Sequence, residues 1–180
     1  MSTVVDPSRA RVLFSADLIA TAVRDLGERI SSYYGDGEVY MVALLGSSLF
    51  FAADLCREIK SPVEIDFLCI SGYGSSEEDG GEVSVVKDVQ GDLRHRNVLL
   101  VDVVAESGLT LDFAMRHVMS MGPASLRTCV LLDCADMRLA DVSVDFSGLV
   151  CPSAPFAGYG LDLNGRLRHL PYICDASDLA

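Results

Sequence analysis

Residues 106 to 110 read Glu-Ser-Gly-Leu-Thr, and they follow directly on "NVLLVDVVA", a run apolar enough to be a strand buried on both faces. A carboxylate, two hydroxyls and a glycine at the carboxyl end of such a strand suit one kind of chemistry. The backbone N–H groups of Ser107, Gly108 and Leu109 can point at a single anion at a helix N-terminus, the hydroxyls of Ser107 and Thr110 add donors, and Gly108 permits close approach. That is a phosphate cradle without a lysine. A plainer reading competes with it, in which Ser107 caps the helix and Gly108 eases the turn.

Other chemistries lack their residues. No G-x-x-x-x-G-K-[ST] occurs, and "GYGSSE" carries Glu77 where a dinucleotide fingerprint needs its third glycine. The three histidines, His95, His117 and His169, do not have metal-ligand spacing, and His117 reads as a helix-surface residue. The absence of a G-x-S-x-G elbow argues against a serine hydrolase.

Periodicity gives the elements that must hold the loop. Ser15 precedes Ile19, Ala22, Val23, Leu26 and Ile30, the spacing of one helical face, and this helix should end near Gly35-Asp36-Gly37. "VYMVALL" (39–45) predicts a buried strand, Gly46-Ser47-Ser48 a tight turn, and "LFFAADLCREI" (49–59) a helix with Ala52, Cys56 and Ile59 inward. "VEIDFLCI" (63–70) is a second strand, followed by a polar, glycine-rich loop (71–82) and "VSVVKDV". After a strand over 97–104 and a loop over 105–109 comes a helix with Leu111, Ala114, Met115, Val118 and Met119 on one face, stopped by Gly122-Pro123. "LRTCVLLD" (126–133) and "VDFSGLV" (144–150) supply further strands. Strands alternating with helices imply an α/β fold, a mainly parallel sheet with helices on both faces. Ligands collect outside the carboxyl ends of such strands, here at Gly46–Ser48, at Ala105–Leu109 and from Asp133 onward.

At 180 residues, half of them hydrophobic, the chain suits one domain over 1–180 with a single core. Acidic side chains outnumber basic ones 26 to 14, and the resulting net charge of -12 repels nucleic acid and anionic membranes. The six cysteines, Cys56, Cys69, Cys129, Cys134, Cys151 and Cys174, form no C-x-x-C pair and mostly lie in apolar runs, which suggests single thiols in a reducing compartment. No signal-peptide stretch is visible and no run approaches the roughly 20 apolar residues of a membrane helix, so a soluble cytoplasmic protein is the simplest reading.

Six stretches, "RVLFSADLI", "FFAADLCREI", "VEIDFLCISGYG", "NVLLVDVVAESGLTL", "TCVLLD" and "FAGYGLDLNGRLRHLPYI", add a further signal through their order. Together they resemble the hypoxanthine-guanine phosphoribosyltransferases of the type I phosphoribosyltransferase superfamily, over nearly the whole chain. The resemblance implies that fold, with a small hood and a flexible lid. It also implies transfer of a phosphoribosyl group from phosphoribosyl pyrophosphate (PRPP) to a 6-oxopurine in the presence of Mg²⁺, by a homodimer or homotetramer. By the same resemblance Ser107, Gly108, Leu109 and Thr110 hold the 5-phosphate, Asp102 reaches the ribose hydroxyls, and Glu106 stands where the family has an aspartate acting as general acid or base near purine N7. Leu45 to Ser48, with Gly46 and Ser47, form the pyrophosphate loop, Gly72 and Tyr73 belong to the lid, and Asp162 and Arg168 match the magnesium-side aspartate and the pyrophosphate-side arginine. Asp102 and Asp162 are then the metal carboxylates.

Departures from the family pattern accompany the matches. The strand-end carboxylate pair is reduced to Asp102-Val103, a lysine of the pyrophosphate loop is Gly46, the lysine that meets the purine 6-oxo group is Cys134, and the stacking aromatic is Pro155, with Phe156 one position along to replace it. The purine-side residues are thus Cys134, Phe156 and Asp162. A thiol at 134 forfeits a charge-assisted hydrogen bond of roughly 1.5–3 kcal/mol. Two readings follow: a purine salvage enzyme with altered base preference or rate, or a non-catalytic relative serving as a regulatory partner or a subunit of a larger complex.

Overall fold

The computed structural model describes residues 10–71, 83–152 and 154–179. A short strand, β1 (Arg11–Phe14), leads into the helix α1 (Ala16–Tyr34), whose start is set by Ser15: its Oγ accepts a hydrogen bond from Leu18 N at 3.3 Å. Gly35, with φ +57°, closes the helix where the sequence pattern breaks. Then come β2 (Val39–Leu45), α2 (Leu49–Glu58), β3 (Val63–Ile70), β4 (Val85–Lys87), β5 (Asn97–Ala105), α3 (Leu109–Ser120), β6 (Ser125–Asp133), a short 3-10 turn (Ala135–Met137), β7 (Phe146–Val150), β8 (Phe156–Ala157) and β9 (Ile173–Asp175).

Six strands make the main sheet, in the order β4-β3-β2-β5-β6-β7, and all pairings are parallel except β3 with β4. The expected parallel α/β sheet is therefore present. Period-two alternation along β5 sends Leu99, Val101 and Val103 into one core with α1 and α2, and Val98 and Leu100 into a second core with Leu111, Ala114 and Val118 of α3. Asp102 shares the α3 face. A separate three-stranded sheet, β1-β9-β8, forms a hood from segments far apart in sequence.

Several expectations are corrected. Met119 is 53% exposed, because α3 buries only the narrower stripe of Leu111, Ala114 and Val118. Cys56 packs against the main core though only half-buried, and the strand expected from 144 begins at Phe146. Cys134 and Cys151 form a disulfide, with Cα atoms 5.1 Å apart, while Cys56, Cys69, Cys129 and Cys174 stay free. Seventeen residues separate the pair in sequence, and only the β6–β7 pairing brings them together. Gly72, Tyr73 and Glu77 lie outside the described residues. Among the described residues no helix is long and apolar enough to cross a membrane.

Helices α1 and α2 touch at Gly27. A Cβ there would sit 2.5 Å from Glu58 Cβ and 2.9 Å from the Glu58 carbonyl, so the contact needs a glycine. Gly27→Ala is expected to lower the unfolding free energy by about 1–3 kcal/mol through overpacking, although alanine in an open helix gains roughly 1 kcal/mol over glycine. An unchanged or higher urea midpoint would contradict the contact.

Candidate active site

The carboxyl end of β5 opens into a cavity of about 230 Å³ lined by Ser47, Asp102, Val104, Ala105, Glu106, Ser107, Gly108, Thr110 and Leu111. Four segments build it: the strand supplies Asp102, Val104 and Ala105, the loop supplies 106–108, α3 supplies Thr110 and Leu111 from its first turn, and the β2–α2 turn supplies Ser47. Asp102 is 8% exposed, and its Oδ1 accepts from Val103 N at 2.7 Å. Burial pushes its carboxyl up to about 7, against the opposing pull of the Val103 N–H and the Ser47 hydroxyl. Burial also raises the half-buried Glu106 above the ordinary carboxylate range. Two carboxyls in one cavity are thus held closer to neutrality than carboxyls in water.

Ser107 does not cap α3. The cap position is Gly108, at φ +79°, where a Cβ would lie 2.6 Å from Arg138 Cδ and 2.7 Å from Val142 Cγ2, so both the backbone angle and the space call for glycine. Ser107 Oγ makes only a long contact, 3.4 Å from Leu109 N, and no side chain caps the helix. The first-turn N–H groups of α3 have no partner within the helix, and the positive end of its dipole faces the cavity.

The remaining candidate residues lie around this centre. Gly46 is exposed on the β2–α2 turn, Ser48 is fully buried with its Oγ donating to Leu44 O, and Ser47 between them borders the cavity. Gly160 meets that turn closely: a Cβ on it would fall 1.9 Å from Ser47 O. Arg168 Nη1 donates to Gly160 O at 2.6 Å, and Arg168 Nη2 pairs with Asp162 Oδ1 at 2.6 Å. Asp162 Oδ2 accepts from Gly165 N at 2.7 Å. Asp162 and Arg168 therefore hold each other, next to the turn that carries Ser47 but not among the residues that line the cavity. Arg138, which the sequence reading passed over, reaches the loop from behind, and its signal was slight: a lone cation five residues past the strand-end acid Asp133.

A model of the phosphoribosyl transferase domain matches residues 13–163. The hypoxanthine phosphoribosyltransferase of Salmonella typhimurium is 40% identical over 158 residues, 86% of this chain and 88% of that protein. The chain belongs to the hypoxanthine-guanine phosphoribosyltransferase family. The Mycobacterium tuberculosis hypoxanthine-guanine phosphoribosyltransferase of strain CDC 1551 is 37% identical over 168 residues, 90% of this chain and 83% of that one. A crystal structure of a hypoxanthine-guanine phosphoribosyltransferase from Bacillus anthracis superposes with a TM-score of 0.85 at 35% identity, covering 91% of this chain and 96% of that chain.

The departures from the phosphoribosyltransferase pattern now have places. Val103 is fully buried in the core under α1 and α2, so it adds nothing to the cavity. Cys134 is 1% exposed and joined to Cys151, which corrects the expectation of a thiol facing a base. Phe156 is 8% exposed, packed in the core with Phe14, Tyr159 and Ile173, so its ring is not free in this arrangement to stack on a purine; Pro155 beside it is exposed.

Two outcomes test this geometry. Because the folded-state pKa of Asp102 is raised, its contribution to stability is present at low pH and is lost as pH rises through that value. The ligand-free Asp102→Asn variant should therefore gain on the parent from about pH 4 to about pH 7 and level off above, by no more than about 4 kcal/mol. A stability difference that stays flat across that window would contradict the buried carboxyl. Thiol titration of the unfolded, unreduced protein is expected to find four groups, Cys56, Cys69, Cys129 and Cys174; finding six would remove the disulfide.

Proposed function

We propose that this protein transfers the 5-phosphoribosyl group of PRPP to a ring nitrogen of a 6-oxopurine, hypoxanthine or guanine, releasing pyrophosphate in a cytoplasmic purine salvage reaction. The observation that carries the reading is the cavity itself, a lysine-free anion cradle at a helix N-terminus beside one buried and one half-buried carboxyl. The loop amides and the hydroxyls of Ser107 and Thr110 hold the 5-phosphate, with Gly108 and Leu109 shaping the turn. Asp102 holds the ribose hydroxyls. As the bond from ribose C1 to the pyrophosphate oxygen breaks, positive charge grows on the sugar ring, and the carboxylates of Asp102 and Glu106 offset it in a site of restricted water. The purine nitrogen bonds to C1, and Glu106 takes the proton released from the base at N7, a task suited to a carboxyl raised toward neutrality.

Mg²⁺ fits as an ion carried by substrate. Among the described residues no three His, Cys, Asp or Glu side chains gather into a protein cage, and Mg²⁺ with phosphorylated substrates needs only one or two carboxylates. Asp102 and Asp162 would hold it, and Gly46, Ser47 and Arg168 would meet the pyrophosphate. When bound, the ion neutralises the departing pyrophosphate. A homodimer or homotetramer is part of the proposal: Leu49 and Phe50, 46% and 41% exposed, are apolar groups that a second copy would cover.

Pyrophosphate release with PRPP, Mg²⁺ and each of hypoxanthine, guanine, xanthine and adenine is the direct test. Turnover is expected with the 6-oxopurines; no turnover with any base, despite measurable nucleotide binding, would sink the enzyme reading. Glu106→Gln is expected to lower kcat about 100- to 10,000-fold, as loss of a positioned acid or base does, with little effect on nucleotide affinity.

A further inference from the structure

Arg138 lies on the far side of the loop from the cavity, with a side chain 15% exposed. Its Nε donates to Glu106 O at 3.1 Å, Nη2 to Ala105 O at 3.3 Å, and Nη1 to Val142 O at 3.1 Å, while Nη2 also pairs with Asp133 Oδ1. The neighbouring backbone takes the next carbonyl: Leu139 N and Ala140 N both donate to Ser107 O, at 2.9 and 3.0 Å. Cys134 N adds a second bond to Ala105 O at 3.0 Å. Three successive carbonyls, at 105, 106 and 107, are thus all fixed toward the 134–142 segment.

Each of these peptides is trans. In a trans peptide the carbonyl of one residue and the N–H of the next point in opposite directions. The N–H groups of Glu106, Ser107 and Gly108 are therefore turned away from the 134–142 segment, toward the side where Ser47, Asp102 and Thr110 line the cavity. Successive amides aimed one way form an anion-binding nest. We infer that Arg138 is a positioning residue for this nest: it never meets the ligand, and it sets the two peptide planes at 105–106 and 106–107 so that amides, not carbonyls, face a phosphate.

The choice of arginine follows from reach. A planar guanidinium with five donors spans the carbonyls of 105, 106 and 142 and the Asp133 carboxylate at once, which a lysine ammonium cannot do. The stem also packs where Gly108 leaves room, with Arg138 Cδ filling the place a Cβ would take. Asp133 neutralises the guanidinium locally, so its contribution to the cavity is orientation rather than charge.

The inference rests on the reading of the loop as a phosphate site, and ribose 5-phosphate against ribose, measured by calorimetry on the intact protein, tests that reading separately. The parent should bind ribose 5-phosphate clearly and ribose far more weakly; equal binding would overturn the phosphate reading and this inference with it. Given a positive parent, Arg138→Met is expected to weaken ribose 5-phosphate and raise the KM for PRPP about 10- to 100-fold, the scale of a displaced contact. The KM for the base should rise less than the KM for PRPP, since the base meets the Glu106 side chain rather than the nest amides that Arg138 orients. Arg138→Lys should recover only part of the loss. Arg138→Met leaves Asp133 unpaired, so the double variant Asp133→Asn with Arg138→Gln keeps a neutral pair and the fold. Unchanged ribose 5-phosphate affinity in that folded double variant, or equal losses for PRPP and base, would show Arg138 to be structural only and overturn the inference.

Discussion

Three strand ends lie level because β5, β6 and β7 pair in one parallel register, with Ala105 beside Asp133 and Asp133 beside Val150. Most of the site follows from that alignment. The residues just past those ends continue the ladder, Cys134 N donating to Ala105 O and Cys151 N to Asp133 O. The same alignment sets Asp133 opposite the guanidinium that grips the loop, and it brings two cysteines within bonding distance. Slippage of β5 by a single residue would exchange the faces of Asp102 and Val103, placing a carboxylate in the α1–α2 core and a methyl pair in the cavity. The register is held by apolar residues on both faces, so the chemistry at the strand tips is secured by packing well below them.

To hold a phosphate as proposed, a chain of net charge -12 would have to create its attraction locally. Oriented amides do so without changing the overall charge, because their partial charges act only over a few ångströms and are strongest where water is excluded. The guanidinium behind the loop, Arg138, is already matched by Asp133, and that of Arg168 by Asp162. The attraction of the cradle is therefore independent of the acidic side chains on the surface.

What the sequence disclosed was set by locality. The bounds of β2 and β3, the Ser15 cap and the break after Tyr34 are written in neighbouring residues, and six ordered stretches, "NVLLVDVVAESGLTL" among them, carry the resemblance to the fold family. The hood was less legible because β1, β8 and β9 are short and come from opposite ends of the chain. The Cys134–Cys151 bond, the Asp162–Arg168 pair and the grip of Arg138 each depend on which segments become neighbours, and no periodicity encodes that. Met119 shows the opposite failure: the helical spacing was right, but the buried stripe of α3 is narrower, Leu111, Ala114 and Val118, and leaves the Met119 side chain at its exposed edge.

Tyr159 donates its hydroxyl to Asp54 at 2.7 Å, and the next residue, Gly160, is pressed against the Ser47 carbonyl. The 158–168 strap is consequently bolted at two points to the body, once on helix α2 and once on the turn that precedes it. Anything that shifts that turn must tug the strap, so the segment bearing Arg168 and the turn bearing Ser47 answer to a strain as one piece.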